Sequence, residues 1–375
     1  MIRTYKYLLR PNKQQADMLD FLLWQSRLVY NAALEERIRS YQETGRRLGF
    51  FKQGPAYAAL RHQFPDTIGK INAHCLNQTL RRLEKAYEAF FRRIKAGKKP
   101  GFPKFKKRSA FKSIEFEYGN GCKLQIAKNG RVRFYIQNVG VIRFCYHRPI
   151  PENANIKRAT LLRTNKRWYV CLMLEIPAFQ PITRPPFAIG VDIGLKSLLA
   201  FSDGTLIENP RWLRQKQIRL RILLRRASRR HRGSHRQGKA YRQVALLYED
   251  IAHQRRDYLH KVTCKLVNQY ALVAIEDLSM AFMNQNKHLA FSSYDAGFGL
   301  FRELLTYKAE TAGVKLIAVD PAYTSQLCSG CGERVEKDLN TRVHDCPFCG
   351  LVMDRDVNAA RNILQAALQV LNSPD

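Results

Sequence analysis

The chain has 375 residues, 45% of them apolar, enough for two or three domains with sizeable cores; its formal charge is +33, from 64 Lys and Arg against 31 Asp and Glu. Solubility needs far less charge, so the excess points to a polyanionic partner, nucleic acid ahead of an anionic membrane surface. No apolar run approaches the roughly 18 residues of a spanning helix, and Met1 to Trp24 lacks a sustained apolar core, which weakens the membrane reading; a cytoplasmic, nucleoid-associated protein is expected, or a nuclear one if the source has a nucleus.

Residues 2–9, I-R-T-Y-K-Y-L-L, alternate as a strand, and Pro11-Asn12 breaks it and can open a helix. Leu19, Leu22, Leu23, Val29, Leu34 and Ile38 then recur at helical spacing, which predicts a long amphipathic helix from about 14 to 42, ended near Gly45. A second helix is expected from about 72 to 94, with Leu76, Leu80, Leu83, Tyr87, Phe90 and Ile94 as one core stripe. His74 lies in it with no partner at ligand spacing and reads as an ordinary hydrogen-bonded histidine. Directly after it, residues 96–108 sit in a window, Arg92 to Lys112, that holds ten Lys and Arg and no acid. Pro100, Gly101 and Pro103 exclude regular structure there. Lys98, Lys99, Lys104, Lys106 and Lys107, interleaved with Phe102 and Phe105, suit a phosphate backbone with occasional base or sugar contacts. A merely solvated basic loop is the plainer alternative.

From 113 to 178 the character changes to short β-branched or aromatic runs, such as S-I-E-F-E-Y, R-V-R-F-Y-I and W-Y-V-C-L-M-L-E-I, separated by Gly119-Asn120 and Asn129-Gly130. They predict a small antiparallel sheet or barrel. The strand at 2–9 has to join it, having no other partner, which makes the helical block an insertion. P-I-T-R-P-P at 181–186 reads as a linker.

The second half opens with F-A-I-G-V-D-I-G-L-K, an apolar strand carrying Asp192; an aspartate in mid-strand is disfavoured unless it faces a cleft or a metal. Further apolar strands are expected at 271–276, ending in Glu276, and at 314–320, after a helix at 299–312. Between Asp192 and Glu276, residues 211–242 carry 13 Lys and Arg and no acid. Trp212, Ile218, Leu220, Ile222, Leu223 and Leu224 leave this stretch a partly apolar face, so it reads as a basic helical hairpin, broken near Gly233 to Gly238, that lies along a nucleic-acid duplex. Arg225, Arg226, Arg229 and Arg230 are its candidate contacts. His231, His235, His253 and His260 are too loosely spaced for a metal site.

Five of the nine cysteines, Cys75, Cys122, Cys145, Cys171 and Cys264, are scattered and read as buried free thiols of a reducing compartment. The other four form two pairs, Cys328/Cys331 and Cys346/Cys349, with 14 residues between the pairs. Each pair can offer two thiolates to one tetrahedral ion, and Gly332 and Gly350 follow at the turn positions of a knuckle, so a structural zinc is expected; a redox pair or disulfide is the alternative. His344 could replace a ligand, but four thiolates make that unnecessary. Beyond the knuckle comes D-R-D-V-N, after which Val357, Ala360, Ile363, Leu364, Ala367 and Leu371 mark one buried face of a last helix. Spacing alone does not separate Asp354 from Asp356, and either could be a helix cap.

A strand with Asp, hairpin neighbours, a strand with Glu and a terminal helix with Asp follow the order of the RNase H-like fold in its RuvC form. Carboxylates that converge from such elements can hold two Mg²⁺ for phosphodiester hydrolysis. At this point the chain resembles the TnpB family, transposon-encoded RNA-guided DNA endonucleases related to type V CRISPR effectors. The resemblance rests on S-R-L-V-Y-N at 26–31, G-K-K-P-G-F-P-K-F-K-K at 97–107, G-V-D-I-G-L-K at 190–196 and R-R-D-Y-L-H-K at 255–261. I-E-D-L at 275–278, S-Q-L-C-S-G-C-G at 325–332 and D-R-D-V-N-A-A-R-N-I at 354–363 complete it.

The resemblance implies an α+β multidomain protein: a β-barrel wedge domain (1–10 and 104–180) split by a helical recognition lobe (11–103), then a RuvC nuclease domain (186–324 and 351–375). The latter holds a basic helical insertion at 211–260 and a zinc-binding insertion at 325–350. It also implies a catalytic triad at Asp192, Glu276 and Asp356, the second acid of D-R-D, holding Mg²⁺; one zinc on Cys328, Cys331, Cys346 and Cys349; and a guide RNA from the transposon end. The target would be double-stranded DNA beside a short flanking motif, with no protein partner required. Rival readings are an RNA-guided DNA-binding repressor without nuclease activity and a guide-free, structure-selective RuvC-like nuclease.

Overall fold

The computed structural model describes residues 1–127, 130–165, 167–177, 186–278, 287–338 and 341–372, and the chain divides into two compact units, Met1–Pro177 and Ala178–Asp375. Most of the expected linker, 181–185, lies outside the described residues.

In the first unit β1 (Ile2–Arg10) is followed by three helices, α1 (Lys13–Thr44), α2 (Phe50–Gln63) and α3 (Ala73–Lys95), and then by β2 (Ser113–Glu117), β3 (Cys122–Ile126), β4 (Val132–Ile136), β5 (Gly140–Phe144), β6 (Asn155–Thr164) and β7 (Arg167–Glu175). All seven strands form one antiparallel sheet in the order β2-β6-β7-β1-β5-β4-β3. The N-terminal strand thus lies in mid-sheet, paired with β7 from Ile2↔Glu175 to Leu9↔Trp168. Pairing across that sequence distance leaves the helices as an excursion between adjacent parts of one sheet. Their start is fixed locally: the Asn12 side chain accepts from Gln15 N (2.8 Å) while Gln15 Oε1 accepts from Asn12 N (3.1 Å), a capping box. Gly45, at φ 65°, closes α1 in the left-handed conformation.

The stripe expected on α3 is buried only as far as Tyr87; Phe90 is half-buried and Ile94 is 48% exposed, because the helix outruns the core it packs on. Helix α2 has no counterpart in the periodicity and is anchored by polar contacts, with the buried Gln53 accepting from Arg37 Nε (2.7 Å) and Arg37 Nη1 pairing with Glu84 (2.7 Å). His74 meets Glu117 at 3.3 Å and Gln78, the bland role expected. All nine cysteines are free; Cys75 and Cys122 are buried and Cys145 and Cys171 partly so, but Cys264 is exposed, its Sγ accepting from Lys308 Nζ (3.2 Å).

The second unit is built on β8 (Ala188–Ile193), β9 (Ser197–Phe201), β10 (Leu206–Glu208), β11 (Leu272–Glu276) and β12 (Lys315–Val319), in the order β10-β9-β8-β11-β12. β8, β9 and β10 run antiparallel, while β8, β11 and β12 run parallel. Between β10 and β11 come α4 (Trp212–Gln215), α5 (Gln217–Ser228) and α6 (His235–Gln269); α7 (Lys287–Ala296) and α8 (Phe298–Ala312) precede β12. The break in the basic hairpin falls before His235, and Gly238 lies inside α6, held there by the Ser234 N-cap on Gln237 N (3.1 Å). α6 runs unbroken past 260, so one helix carries both exposed basic turns and the core residues Leu259, Thr263 and Leu266. β13 (Val343–Asp345) and β14 (Val352–Asp354) form a separate hairpin, and β14 runs directly into α9 (Arg355–Asn372). Helix α9 packs on the sheet beside β8 and β11. Gly190 permits this: a Cβ there would overlap the Ala360 carbonyl oxygen of α9. No helix among the described residues is long and apolar enough to cross a membrane.

Candidate active site and metal knuckle

Asp192 and Glu276 lie at the C-terminal ends of adjacent parallel strands. The recorded register ends at Ile275↔Val191, so the next step along each strand brings Glu276 level with Asp192. This is the switch point of the sheet, with antiparallel neighbours on one side of β8 and parallel ones on the other, where open sheets bind ligands beyond their strand ends. Asp356, 8% exposed in the first turn of α9, comes to the same edge, its Oδ2 facing the backbone of Gly194, two residues after Asp192.

Electrostatics show the three acids to be neighbours. Desolvation, then the charges of Glu276 and Asp356, hold the Asp192 carboxyl well above the usual range. Desolvation also raises the Glu276 carboxyl, against a hydrogen bond that the Thr324 hydroxyl donates to its Oε1. The nearest recorded cation is Arg355, whose Nη2 lies 3.3 Å from Asp356 Oδ1. Buried hard oxygens that repel one another fit a divalent cation such as Mg²⁺. Local geometry distinguishes the two acids of D-R-D: Asp354 Oδ1 accepts from the N–H groups of Asp356 (2.8 Å) and Val357 (3.3 Å) and is the helix cap.

The four cysteines are gathered more tightly. Their Sγ atoms all lie within 4.8 Å of one another, the one such group of metal donors found among the described residues; the three carboxylates do not converge to that degree. Cys328–Cys349 and Cys331–Cys346 are each separated by 3.6 Å between sulfurs. That is far beyond a disulfide and close to the roughly 3.8 Å edge of a tetrahedron with zinc–sulfur bonds of about 2.3 Å. The two turns are twins: Gly332 N donates to Cys328 O and Gly350 N to Cys346 O, each at 2.9 Å, with φ of 82° and 73° that glycine adopts freely. Desolvation opposes ionisation of Cys346, but hydrogen bonds from the Cys349 and Phe348 N–H groups and the facing thiols outweigh it and lower its thiol to about 7, while desolvation and the same shared contacts raise those of Cys331 and Cys349. The donor set fits zinc. His344 is fully buried on β13 but outside this group.

Several residues that tie the two sites together were assigned no role from the sequence, although Asn358 and Asn362 lie in the D-R-D-V-N-A-A-R-N-I stretch. Asn358 Oδ1 accepts from Ser329 N (2.9 Å) and its Nδ2 donates to Leu327 O (2.7 Å), while Asn362 Nδ2 donates to both Thr324 O and Leu327 O at 2.8 Å. Helix α9 thereby grips the strand leading into the knuckle and places Thr324 against Glu276. Asp295, also unanticipated, accepts from Leu213 N (2.8 Å), Arg214 N (3.1 Å) and Arg255 Nη2 (3.2 Å), and so pins the start of the basic insertion to α6.

The basic candidates divide. Arg225, Arg226, Arg229 and Arg230 are exposed and, with Ile222, line one groove of about 470 Å³ on α5. In the loop after α3, Lys98, Lys99, Lys104 and Lys107 are exposed, but Lys106 is held: its N–H donates to Asn31 Oδ1 (2.8 Å) and its carbonyl accepts from Arg27 and Asn31. Phe102 meets Tyr87 and Phe90 edge-on at 5.7 and 5.4 Å, which makes it an anchor of the loop and leaves Phe105, 54% exposed, as the free ring.

Comparison with known proteins places the chain. Residues 298–363 match the family described as "Cas12f1-like, TNB domain", 170–287 match "Probable transposase", and 1–46 match "Helix-turn-helix domain". A protein of Streptomyces pristinaespiralis named "Putative RNA-guided DNA endonuclease" is 34% identical over 98% of this chain and 89% of its own. "Putative RNA-guided DNA endonuclease InsQ" of Escherichia coli (strain K12) is 30% identical over 99% of this chain and 93% of its own. This chain belongs to the TnpB family. Among solved structures, Cas12f1 in a complex with sgRNA and target DNA aligns over 94% of this chain and 83% of its own, at TM-score 0.58 and 17% identity, which is a likeness of fold. The structure of this TnpB-family chain differs from one family description: 1–46 holds β1 and the single helix α1, with no turn between two helices.

Proposed function

We propose that this chain is an RNA-guided, Mg²⁺-dependent DNA endonuclease of the RuvC type that cuts both strands of target DNA at Asp192, Glu276 and Asp356. The observation that carries the proposal is Asp192 at the switch point of a mixed sheet, its carboxyl pushed up by burial and by the other two acids. Strained ionisation of that kind marks functional sites. The near-full-length relatives named as RNA-guided DNA endonucleases support the same reading.

Asp192, Glu276 and Asp356 would hold Mg²⁺, which when bound supplies an activated water and charge neutralisation at the scissile phosphate. The chain's own part is placement. β8 and β11 set two carboxylates side by side, Asp354 fixes the first turn of α9 and so the third, and Thr324 orients Glu276. The knuckle, with one structural zinc on Cys328, Cys331, Cys346 and Cys349, would brace the loop that carries Thr324.

In the same reading, residues 1–10 and 104–180 form the wedge β-barrel, 11–103 the recognition lobe, and 186–324 with 351–375 the RuvC domain, with insertions at 211–260 and 325–350. A guide RNA from the transposon end pairs with the target, and the first two regions read the short motif beside it; base pairing then supplies sequence specificity and the basic surfaces supply backbone contacts. Asp192→Ala, Glu276→Ala and Asp356→Ala should each lower cleavage by about 10³-fold or more, several kcal/mol of transition-state stabilisation, with guide and target binding retained. Single-turnover cleavage of a plasmid by the purified ribonucleoprotein in Mg²⁺ is the measurement, and full cutting by any one variant would refute the assignment.

A further inference from the structure

In the first unit, three arginines stand in one row across three adjacent strands. Arg10 of β1 is the direct partner of Arg143 of β5, and Arg143 is the direct partner of Arg133 of β4. Directly opposed residues project from the same face of a sheet, and like charges so placed are destabilising. These strands are internal to the sheet, so the charges do not serve as the guards that edge strands carry against aggregation. Among the described residues the side chains of Arg10, Arg133 and Arg143 make no ion pair, hydrogen bond or ring contact. The cost of the row therefore calls for a partner outside the chain.

The surroundings say what kind. The row lines a cleft of about 590 Å³ with Asn12, Gln15 and Val141, and no acid or aromatic ring lines it. One wall is the start of the 32-residue helix α1, whose positive end adds to the field; Gln15 Nε2 holds that wall to the sheet through Val141 O at 2.9 Å. Three guanidinium groups at neighbouring strand spacings span roughly 10 Å, and each can bind phosphate in bidentate fashion. With no ring to stack on a base, the cleft has the means to hold a backbone and none to read a sequence.

We infer that the row Arg10–Arg143–Arg133 is a phosphodiester-backbone cradle that holds a run of consecutive phosphates of a bound nucleic-acid strand. The inference stands on register and charge in the first unit and does not depend on the carboxylate site. The probes are a labelled single-stranded RNA and, separately, a labelled DNA duplex, each titrated with the RNA-free full-length chain between about 0.1 and 0.4 M salt. The triple variant Arg10→Gln/Arg133→Gln/Arg143→Gln should lower the steepness of log K against log salt by about 2 to 3 and weaken binding on the order of 100-fold near 0.15 M salt. The arm that shows the loss identifies the strand as RNA or DNA. Arg39→Gln/Arg46→Gln/Lys52→Gln removes the same charge from exposed positions on α1, α2 and the loop between them and sets the size of the nonspecific effect. Arg143→Gln alone should raise the melting temperature of the free protein, as relief of like-charge repulsion requires. A triple variant no worse than the control in both arms, or an Arg143→Gln that melts lower while binding is intact, overturns the cradle. Full cleavage by the carboxylate variants, with salt-dependent binding lost in the arginine triple variant, would refute the nuclease proposal and leave this one standing.

Discussion

The cysteine knuckle and the carboxylate edge lie within one unit and share helix α9, yet they are built on opposite principles. The four thiols come from two short turns, and their sulfurs already stand at tetrahedral spacing. The three acids come from β8, β11 and α9, elements distant in sequence, and they are held close against their own repulsion. One site is a finished socket that stabilises what surrounds it, and the other is a loaded arrangement that the surroundings must hold in place. Structural metal sites contribute folding energy, whereas catalytic sites store strain that the rest of the fold sustains.

The largest break in this comparison should come from the socket. Cys346→Ser removes a buried donor of the Cys331–Cys346 pair, and the chain should then hold no zinc at neutral pH, against one ion per chain in the parent. Hydrogen exchange should lose protection over β13 and β14, and cleavage should fall with it, because β14 leads straight into the turn that places Asp356. Metal content and exchange are read independently of activity. A variant that keeps its protection and its target binding and loses only bond breaking would put the knuckle in the chemistry.

The same contrast governs what was legible in the sequence. Cysteine spacing is local, so the knuckle could be read from it directly. Asp192 could be suspected from its place in an apolar strand, and β8, β11 and β12 fall where their apolar runs put them. Thr324, Asn358, Asn362 and Asp295 could not be read, because each acts through a partner more than 25 residues away: 48 for Thr324 to Glu276, 31 for Asn358 to Leu327 and 82 for Asp295 to Leu213. The arginine row was hidden for the same reason, since it exists only once the register of β1, β5 and β4 is known. Helix α2 was missed because its inward face, Phe50, Gln53, Tyr57 and Leu60, is interrupted by the buried polar Gln53, whose partners Arg37 and Ala33 lie on another helix.

A smaller effect should separate the two sites by pH. In the folded chain burial raises both the Asp192 and Glu276 carboxyls, and neighbouring charge raises Asp192 further, so above the ordinary carboxylate range the folded state binds more protons than the unfolded one. For these groups, stability is fully present at low pH and is lost as pH rises from the unfolded value through the raised folded one. Melting of the Mg²⁺-free protein, with zinc retained, should therefore fall with rising pH more steeply in the parent than in Asp192→Asn, whose amide cannot ionise. Added Mg²⁺ should narrow the difference between the two. Parallel pH profiles for parent and variant would remove the stored repulsion from the account.

The smallest and most specific effect should come from the single hydroxyl that joins the two regions. Thr324 sits four residues before Cys328, is held through its carbonyl by Asn362 of α9, and donates to Glu276 Oε1. Thr324→Val keeps the shape and the branching at Cβ and removes only that donor. A hydrogen bond to a charged group is worth about 1.5 to 3 kcal/mol, so a loss of about tenfold or more in cleavage rate is expected. Because the change acts through the orientation of Glu276, it should also raise the Mg²⁺ concentration for half-maximal cleavage, while zinc content and melting stay near the parent values. Thr324→Ser should restore most of both. If Thr324→Val cleaves like the parent, with an unchanged Mg²⁺ requirement, the knuckle braces only the backbone of this edge, and Glu276 finds its place without it.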